Sequence, residues 1–263
     1  MTLSDERQSI ELEIEVPGRA EEVWRAVATG PGISSWYVPH TVEERAGGVG
    51  TASFGPEPEM QVSGRVVVWE PPRRVLFDGG EGVDGLTFEW TVEPRGDDAC
   101  VVRLVNSGFG SGPEQDALRE GMIEGWRLFM FNLRLHREHF AGRTATAVIP
   151  TALWAGPREA AWEALLGGLG LPPDPAVGDR IEVAATDTPE LAGTVADVDP
   201  RWVALLLDDP APGTAFLAVE GDGEHVAVSI WSYLYGPDGA AAATRDDPRW
   251  RQWLAERAAT PGC

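Results

Sequence analysis

The sequence predicts an α+β fold in which an antiparallel sheet wraps around one long helix, and it predicts this arrangement twice along the chain. Short strand patterns separated by turn residues occupy much of residues 10–105. A long helical pattern with bulky apolar residues then covers residues 113–140. The same order recurs in the second half. We therefore predict two domains, residues 1–142 and residues 143–263, of which the second is a degenerate copy.

The chain begins with a strand pattern followed by a short helix. Residues 10–16 (IELEIEV) alternate strictly, which places four aliphatic side chains on one face and three glutamates on the other. A Pro-Gly pair ends the strand. The next segment, AEEVWRAVAT, predicts a helix that turns Val23, Trp24 and Val27 inward. GPGISSWYVPH follows and, from its glycine and proline content, is predicted to be a loop.

Five further strands are predicted between this loop and the long helix. They cover residues 49–54, 60–69, 73–78, 86–93 and 99–105. Clusters of Gly, Pro and Asp separate them, as is typical of turns. Because strands joined by such short turns run antiparallel, the pattern indicates an antiparallel sheet.

The helix predicted over residues 113–140 is apolar on more than one face. It begins with Pro113 and acidic residues and ends at Gly142, in agreement with helix-end preferences. Its apolar residues recur every three to four positions, and a second apolar face fills its middle. Such a helix has to be covered on more than one side.

The second half repeats the first in a shortened form. AEEVWRAV around Trp24 is similar to REAAWEAL around Trp162, and GRVVVWEPPRRVLF is similar to GTVADVDPRWVALL. Chance similarity between two α+β halves is the alternative. The closing helix of the second copy is predicted over residues 248–259, about half as long as the first, with Pro248 in its first turn.

The charge balance argues against two classes of partner. The chain has 42 acidic and 21 basic residues, a formal charge of -21, and it contains no lysine. Neither half forms a basic surface, so nucleic acid and anionic membranes are not expected as partners. The charged N-terminal residues and the lack of a long apolar run lead us to expect a cytoplasmic protein.

Four segments resemble a known family. IELEIEVPGRAEEVWRAVAT, GISSWYVP, GRVVVWEPPRRVLF and EGMIEGWRLFMFNL are similar to the domain homologous to activators of the heat-shock-protein-90 ATPase, within the START, or SRPBCC, superfamily. The resemblance covers about residues 8–142, and the second half follows only through the repeat. It implies a helix-grip fold, in which a curved antiparallel sheet grips the long terminal helix around an apolar cavity.

The apolar cavity that the resemblance implies makes ten residues candidate ligand contacts. The candidates are Trp36, Tyr37 and His40 on the predicted loop, Met60, Phe77, Phe88 and Trp90 on strands, and Met122, Trp126 and Phe129 on the helix. Two explanations remain open. Burying each large side chain contributes roughly 1.5–3 kcal/mol, so the same residues are also explained as plain core. Tyr37 and His40 either plug the end of that core or form the mouth of a cavity.

Binding of a small apolar molecule in the first domain is the leading functional hypothesis. Some superfamily relatives are cyclases or dehydratases that act on polyketides, and such catalysis needs an acid or base inside the pocket. Only Tyr37 and His40 are candidates, so the sequence favours binding over catalysis. A third hypothesis is a chaperone-assisting module, implied by the family name, with a chaperone or homodimer contact.

Neither a metal site nor a cofactor is predicted. His136 and His139 lie three residues apart at the end of the long helix, but no third ligand accompanies them. We interpret both as cations that complement the helix dipole. Neither a phosphate-binding glycine loop nor a dinucleotide motif occurs in the sequence.

Overall fold

A computed structural model describes residues 8–80, 85–183 and 185–258. The chain divides into two compact units, Met1–Gly142 and Arg143–Cys263. In the part of the chain that is described, no helix is both long and apolar enough to cross a membrane.

In the residues described, the first unit contains a seven-stranded antiparallel sheet and three α-helices. Its elements are β1 (Gln8–Pro17), α1 (Ala20–Ala28), α2 (Gly30–Ile33), β2 (His40–Val42), β3 (Val49–Ser53), β4 (Gln61–Glu70), β5 (Arg74–Asp78), β6 (Thr87–Pro94), β7 (Ala99–Phe109) and α3 (Pro113–His139). The strand order is β1-β7-β6-β5-β4-β3-β2, so the first strand lies beside the last. The predicted α+β class and antiparallel sheet are confirmed.

Helix α3 begins at the predicted residue and ends one residue earlier than predicted. Its C-terminal half is mostly buried, whereas its first turns are more exposed, with Leu118 45% exposed. The Trp126 ring lies 5.5 Å from the Trp90 ring on β6, measured between centroids. One face of α3 therefore packs on the concave side of the sheet, which is the helix-grip arrangement.

The segment predicted to be one loop contains two regular elements, α2 and β2. Thr29 caps α2, because its hydroxyl accepts a hydrogen bond from the Gly32 amide at 3.2 Å, and a proline occupies the first turn. Strand β2 pairs with β3, His40 lying opposite Ala52. A Cβ atom at Gly30 would lie 2.9 Å from the His40 carbonyl oxygen. The glycine thus lets α2 and β2 approach closely. The glycine and proline content of the segment predicted a loop, and that prediction was wrong.

The second unit has a similar order of elements, and its sheet also has seven strands in the described residues. Its elements are β8 (Ala145–Val148), β9 (Thr151–Ala155), α4 (Arg158–Leu169), β10 (Arg180–Glu182), β11 (Ala192–Asp199), β12 (Trp202–Asp209), β13 (Gly213–Glu220), β14 (His225–Tyr235) and α5 (Gly236–Ala258). The sheet order is β10-β11-β12-β13-β14-β8, and β9 also pairs with β14. As in the first unit, the opening strands lie beside the last strand.

The closing helix α5 is longer than predicted. It has 23 residues and begins at Gly236, so Pro248 lies inside it rather than in its first turn. An interior proline costs a helix about 3 kcal/mol. Burial of Trp250, Trp253 and Leu254, each at most 2% exposed, offsets that cost. Proline as a helix-start signal was misleading because tertiary packing decided the helix length.

Candidate ligand-binding cavity

The first unit contains a cavity of about 170 Å³ that is partly open to the surface. Its lining consists of Ile33, Trp36, Tyr37, His40, Gly50, Ala52, Phe54, Val62, Gly64, Phe77, Asp78, Gly79, Phe88, Trp90, Met122 and Trp126. These residues come from the 33–40 segment, strands β3 to β6 and helix α3. An apolar cavity of about 150 Å³ holds one benzene molecule, so this cavity has room for about one aromatic ring.

Two facing glycines keep the sheet side of the cavity open. Gly50 on β3 lies directly opposite Gly64 on β4. A Cβ atom at Gly50 would lie 3.6 Å from the Phe77 ring, and a Cβ atom at Gly64 would lie 2.2 Å from the Asp78 carbonyl oxygen. Larger residues at this pair would occupy the space and push on β5. Phe77 and Phe88 are direct register partners, and their rings form the adjacent part of the wall.

A cluster of aromatic rings forms the opposite wall. The Trp36 ring lies 5.4 Å from Trp90, and the Tyr37 ring lies 5.0 Å from Trp126 and 4.4 Å from Phe129, all between centroids. Each edge-to-face or offset pair adds about 0.5–1.5 kcal/mol beyond area burial. The rings therefore hold one another in place and give the cavity a preformed wall.

Hydrogen bonds fix the segment that carries Trp36, Tyr37 and His40. The Trp36 side chain is fully buried, and its Nε1 donates to the Ala26 carbonyl at 2.8 Å. Asn132 Nδ2, on α3, donates to the Trp36 carbonyl at 2.9 Å. The 33–40 segment is thus tied to both α1 and α3, so its aromatic side chains do not depend on the ligand for their position.

His40 is neutral, and its tautomer is defined. Its Nδ1 lies 2.8 Å from the Val38 carbonyl oxygen. A carbonyl oxygen only accepts hydrogen bonds, so Nδ1 carries the proton and Nε2 is left as an acceptor. Burial lowers the pKa of His40 to about 4, against a smaller opposite effect of the Val38 bond. Burial also raises the pKa of Tyr37 above its ordinary value, so this phenol stays protonated at neutral pH.

Asp78 brings a carboxylate to the cavity. Its Oδ1 accepts a hydrogen bond from the Arg65 backbone amide at 2.6 Å. Strand alternation placed Phe77 inward and therefore Asp78 outward, so the sequence did not indicate this residue. Asp78 is the last residue of β5 and precedes a Gly-Gly turn, where the alternation no longer governs side-chain direction. None of the lining residues is positively charged.

Eight of the ten predicted contact residues line the cavity, and Met60 and Phe129 do not. Met60 ends a 3-10 turn (Pro58–Met60) before β4 begins, so strand alternation does not reach it. Its side chain packs over Gly55 and is 39% exposed. Phe129 is buried and contacts the Tyr37 ring, which places it against the aromatic wall rather than in the lining. Met60 is therefore not part of the lining, and a role for it in ligand contact stays a prediction.

One of the two helix-end histidines, His136, differs from expectation. His136 is 3% exposed, and burial, together with the adjacent Arg137 charge, lowers its pKa to about 4. A histidine that is neutral at pH 7 does not complement the helix dipole, so that interpretation is wrong for His136. Among the residues that the structure describes, no group of three or more His, Cys, Asp or Glu is arranged to hold a metal ion.

Comparison with known proteins finds a family match and several similar structures. Residues 7–132 match the model of a family described as polyketide cyclase/dehydrase and lipid transport. The first unit has a START/SRPBCC fold. A search of curated proteins finds no match. The family match ends within α3 and includes every strand of the first sheet.

Several solved structures are similar to the chain. The di-domain ARO/CYC protein BexL of the BE-7585A biosynthetic pathway is 16% identical, with 97% of this chain and 100% of that chain covered, at a TM-score of 0.46. DynU16, from the dynemicin biosynthetic locus, is 18% identical over 95% of each chain, at a TM-score of 0.41. Aha1 from Colwellia psychrerythraea is 15% identical, with 50% of this chain and 97% of that chain covered, at a TM-score of 0.43. Similarity at this level says nothing about ligand or reaction.

Proposed function

We propose that the first unit binds a small, largely apolar molecule in the cavity beside Trp36, Trp90 and Trp126. The observation that carries this proposal is the space of about 170 Å³ inside an aromatic cluster. Apolar walls of this kind favour an apolar occupant over water, because burial of apolar surface contributes roughly 25 cal/mol per Å². A bound molecule would gain contacts with the rings, and the fixed aromatic wall lowers the entropic cost of binding it.

Binding is favoured over catalysis by the state of the polar groups. An acid or base works best when its pKa lies near the operating pH. Burial lowers the pKa of His40 to about 4, so it is a weak base at neutral pH. Burial raises the pKa of Tyr37, so it is a weak acid. Both groups are suited to hydrogen bonding with a ligand rather than to proton transfer.

Catalysis of the cyclase or dehydratase type is the second candidate, and Asp78 is the observation that favours it. Asp78, His40 and Tyr37 line the same cavity, and the matched family description includes cyclases and dehydrases. Turnover of a polyketide-type substrate that disappears in His40→Ala, while the affinity for that substrate is retained, would support this candidate. The chaperone-assisting role and the cytoplasmic location stay predictions from the sequence.

The binding proposal is tested by native mass spectrometry of the purified protein and of a variant with a filled cavity. Ala52 on β3 lines the cavity, so Ala52→Leu places extra atoms in the open space. Its neighbour Thr51 points to the opposite face of the strand, and Thr51→Leu is the matched control. We expect a co-purified small molecule in the wild type and in Thr51→Leu, and none in Ala52→Leu.

Thermal unfolding shows whether Ala52→Leu is still folded. Because the added side chain fills empty space, we expect its melting temperature to be equal to or above that of the ligand-free wild type. Finding no molecule in the wild type, and no binding of any apolar probe, would overturn the proposal.

A further inference from the structure

The charges around the cavity limit which molecules fit it. Asp78 is the one charged side chain in the lining, and no arginine joins it. The chain has no lysine and carries a formal charge of -21. Transfer of an anion from water into such a site would leave its charge unpaired, which is strongly unfavourable. Carboxylates and phosphates are thus poor ligands for this cavity.

His40 offers the cavity a hydrogen-bond acceptor. Its Nδ1–H is engaged by the Val38 carbonyl at 2.8 Å, so Nε2 is the ring nitrogen that remains for a ligand. No described residue donates a hydrogen bond to Nε2. A ligand without a donor would leave this nitrogen unsatisfied once it displaces water, and an unsatisfied buried acceptor lowers affinity.

Tyr37 adds a second polar group beside His40. The two rings lie 5.4 Å apart between centroids, and both residues line the cavity. The Tyr37 hydroxyl makes no hydrogen bond with any described residue, so it is free to accept from or donate to a ligand. All remaining lining side chains are apolar, apart from Asp78. Tyr37 and His40 therefore form a neutral polar end of the site, and the Asp78 carboxylate is the other polar group in the lining.

We propose that the ligand is a neutral aromatic molecule of about one ring that carries a hydroxyl or N–H group, and that this group donates to His40 Nε2. The ring lies against the aromatic wall, because the cavity of about 170 Å³ has room for about one ring. This inference rests on the proposed binding function and specifies its ligand class.

Three probes of similar size test the proposal on the full-length protein. Phenol has a ring and a donor, toluene has the ring without a donor, and benzoate has the ring with a negative charge. In NMR titrations at neutral pH that follow the tryptophan indole signals, we expect phenol to bind about tenfold more tightly than toluene. Benzoate is expected to bind more weakly than both.

A variant of His40 tests whether the preference for phenol over toluene depends on the Nε2 atom. His40→Leu removes the acceptor but keeps an apolar side chain at the site. We expect it to lower the affinity for phenol to that for toluene and to leave toluene binding unchanged. His225, an exposed residue of the second unit, supplies the control variant His225→Leu, which should bind all three probes as the wild type does.

The outcomes separate this inference from the function on which it rests. Equal affinities for phenol and toluene, or tighter binding of benzoate, would overturn the ligand class while leaving apolar binding intact. If none of the probes binds, both the proposed ligand class and the proposed binding function are overturned. Should His40→Leu fail to fold, the three-probe series on the wild type still decides the proposal.

Discussion

Burial sets the protonation state of two histidines in the first unit. It lowers the pKa of both His40 and His136 to about 4, compared with an ordinary value of about 6.5. Between these values the unfolded chain binds protons that the folded chain does not bind. Protonation of these two histidines therefore does not lower the unfolding free energy above about pH 6.5. It lowers the unfolding free energy progressively as the pH decreases toward 4.

We expect His136→Gln to weaken this pH dependence. The glutamine does not titrate, so the fall in unfolding free energy between about pH 6.5 and 4 should shrink by roughly 3 kcal/mol, the order of magnitude of the His136 contribution. Urea denaturation at a series of pH values measures the difference. An unchanged profile in His136→Gln would contradict the assignment.

At the scale of elements, α3 does more than cover the sheet. Its Asn132 is fully buried and donates to the Trp36 carbonyl at 2.9 Å, which ties the helix to the segment that bears Tyr37 and His40. The predicted stripe of large apolar residues on this helix explains its burial. The Asn132 amide, which lies within that stripe, holds the aromatic wall of the cavity in position.

Asn132→Ala is expected to lower stability and ligand affinity together. Removing the amide leaves the buried Trp36 carbonyl without this partner, at a cost of about 1–3 kcal/mol in unfolding free energy. The 33–40 segment would then be held less firmly, so the affinity for phenol should also fall. Arg127→Ala, at an exposed position of the same helix, is the control and should leave both quantities unchanged. Denaturant unfolding and NMR titration give the two readouts; wild-type stability in Asn132→Ala would refute the role.

At the scale of the whole molecule, negative charge is the dominant electrostatic feature. The formal charge is -21 and the calculated isoelectric point is about 4.5. Many of the ion pairs are exposed, such as Arg45–Glu43 with side chains 66% and 53% exposed. Exposed pairs contribute about 0–1 kcal/mol each, so they do not offset the mutual repulsion of the acidic side chains.

We expect the melting temperature to rise with salt. Raising the ionic strength from about 0.01 M to 0.15 M shortens the screening length from about 30 Å to 8 Å, which weakens repulsion between distant carboxylates. The effect should appear with sodium chloride and should be absent with an equal osmolarity of a neutral sugar at low concentration. A melting temperature that falls with salt would mean that ion pairs outweigh the repulsion.

Local patterns predicted the elements that bury one continuous apolar face. The alternation in β1 and the three-to-four residue spacing in α3 arise from geometry that each segment has by itself. For the same reason, alternation placed Phe77, Phe88 and Trp90 on the inner face of the sheet. Prediction failed where neighbours in space decided the outcome. Met60 lies in a turn that interrupts the alternation, and Pro248 lies inside a helix that packing extends.

The sequence by itself determined the α+β class, the antiparallel sheet, the long helix and the aromatic character of the first interior, because periodicity and bulk are local properties. Only the tertiary structure decided that the aromatic residues leave a space, that Asp78 borders it and that His40 presents Nε2 as an acceptor. These features depend on the facing glycines Gly50 and Gly64, on the position of Asp78 at the end of β5 and on the Val38 carbonyl. Such contacts join residues that no periodic pattern relates.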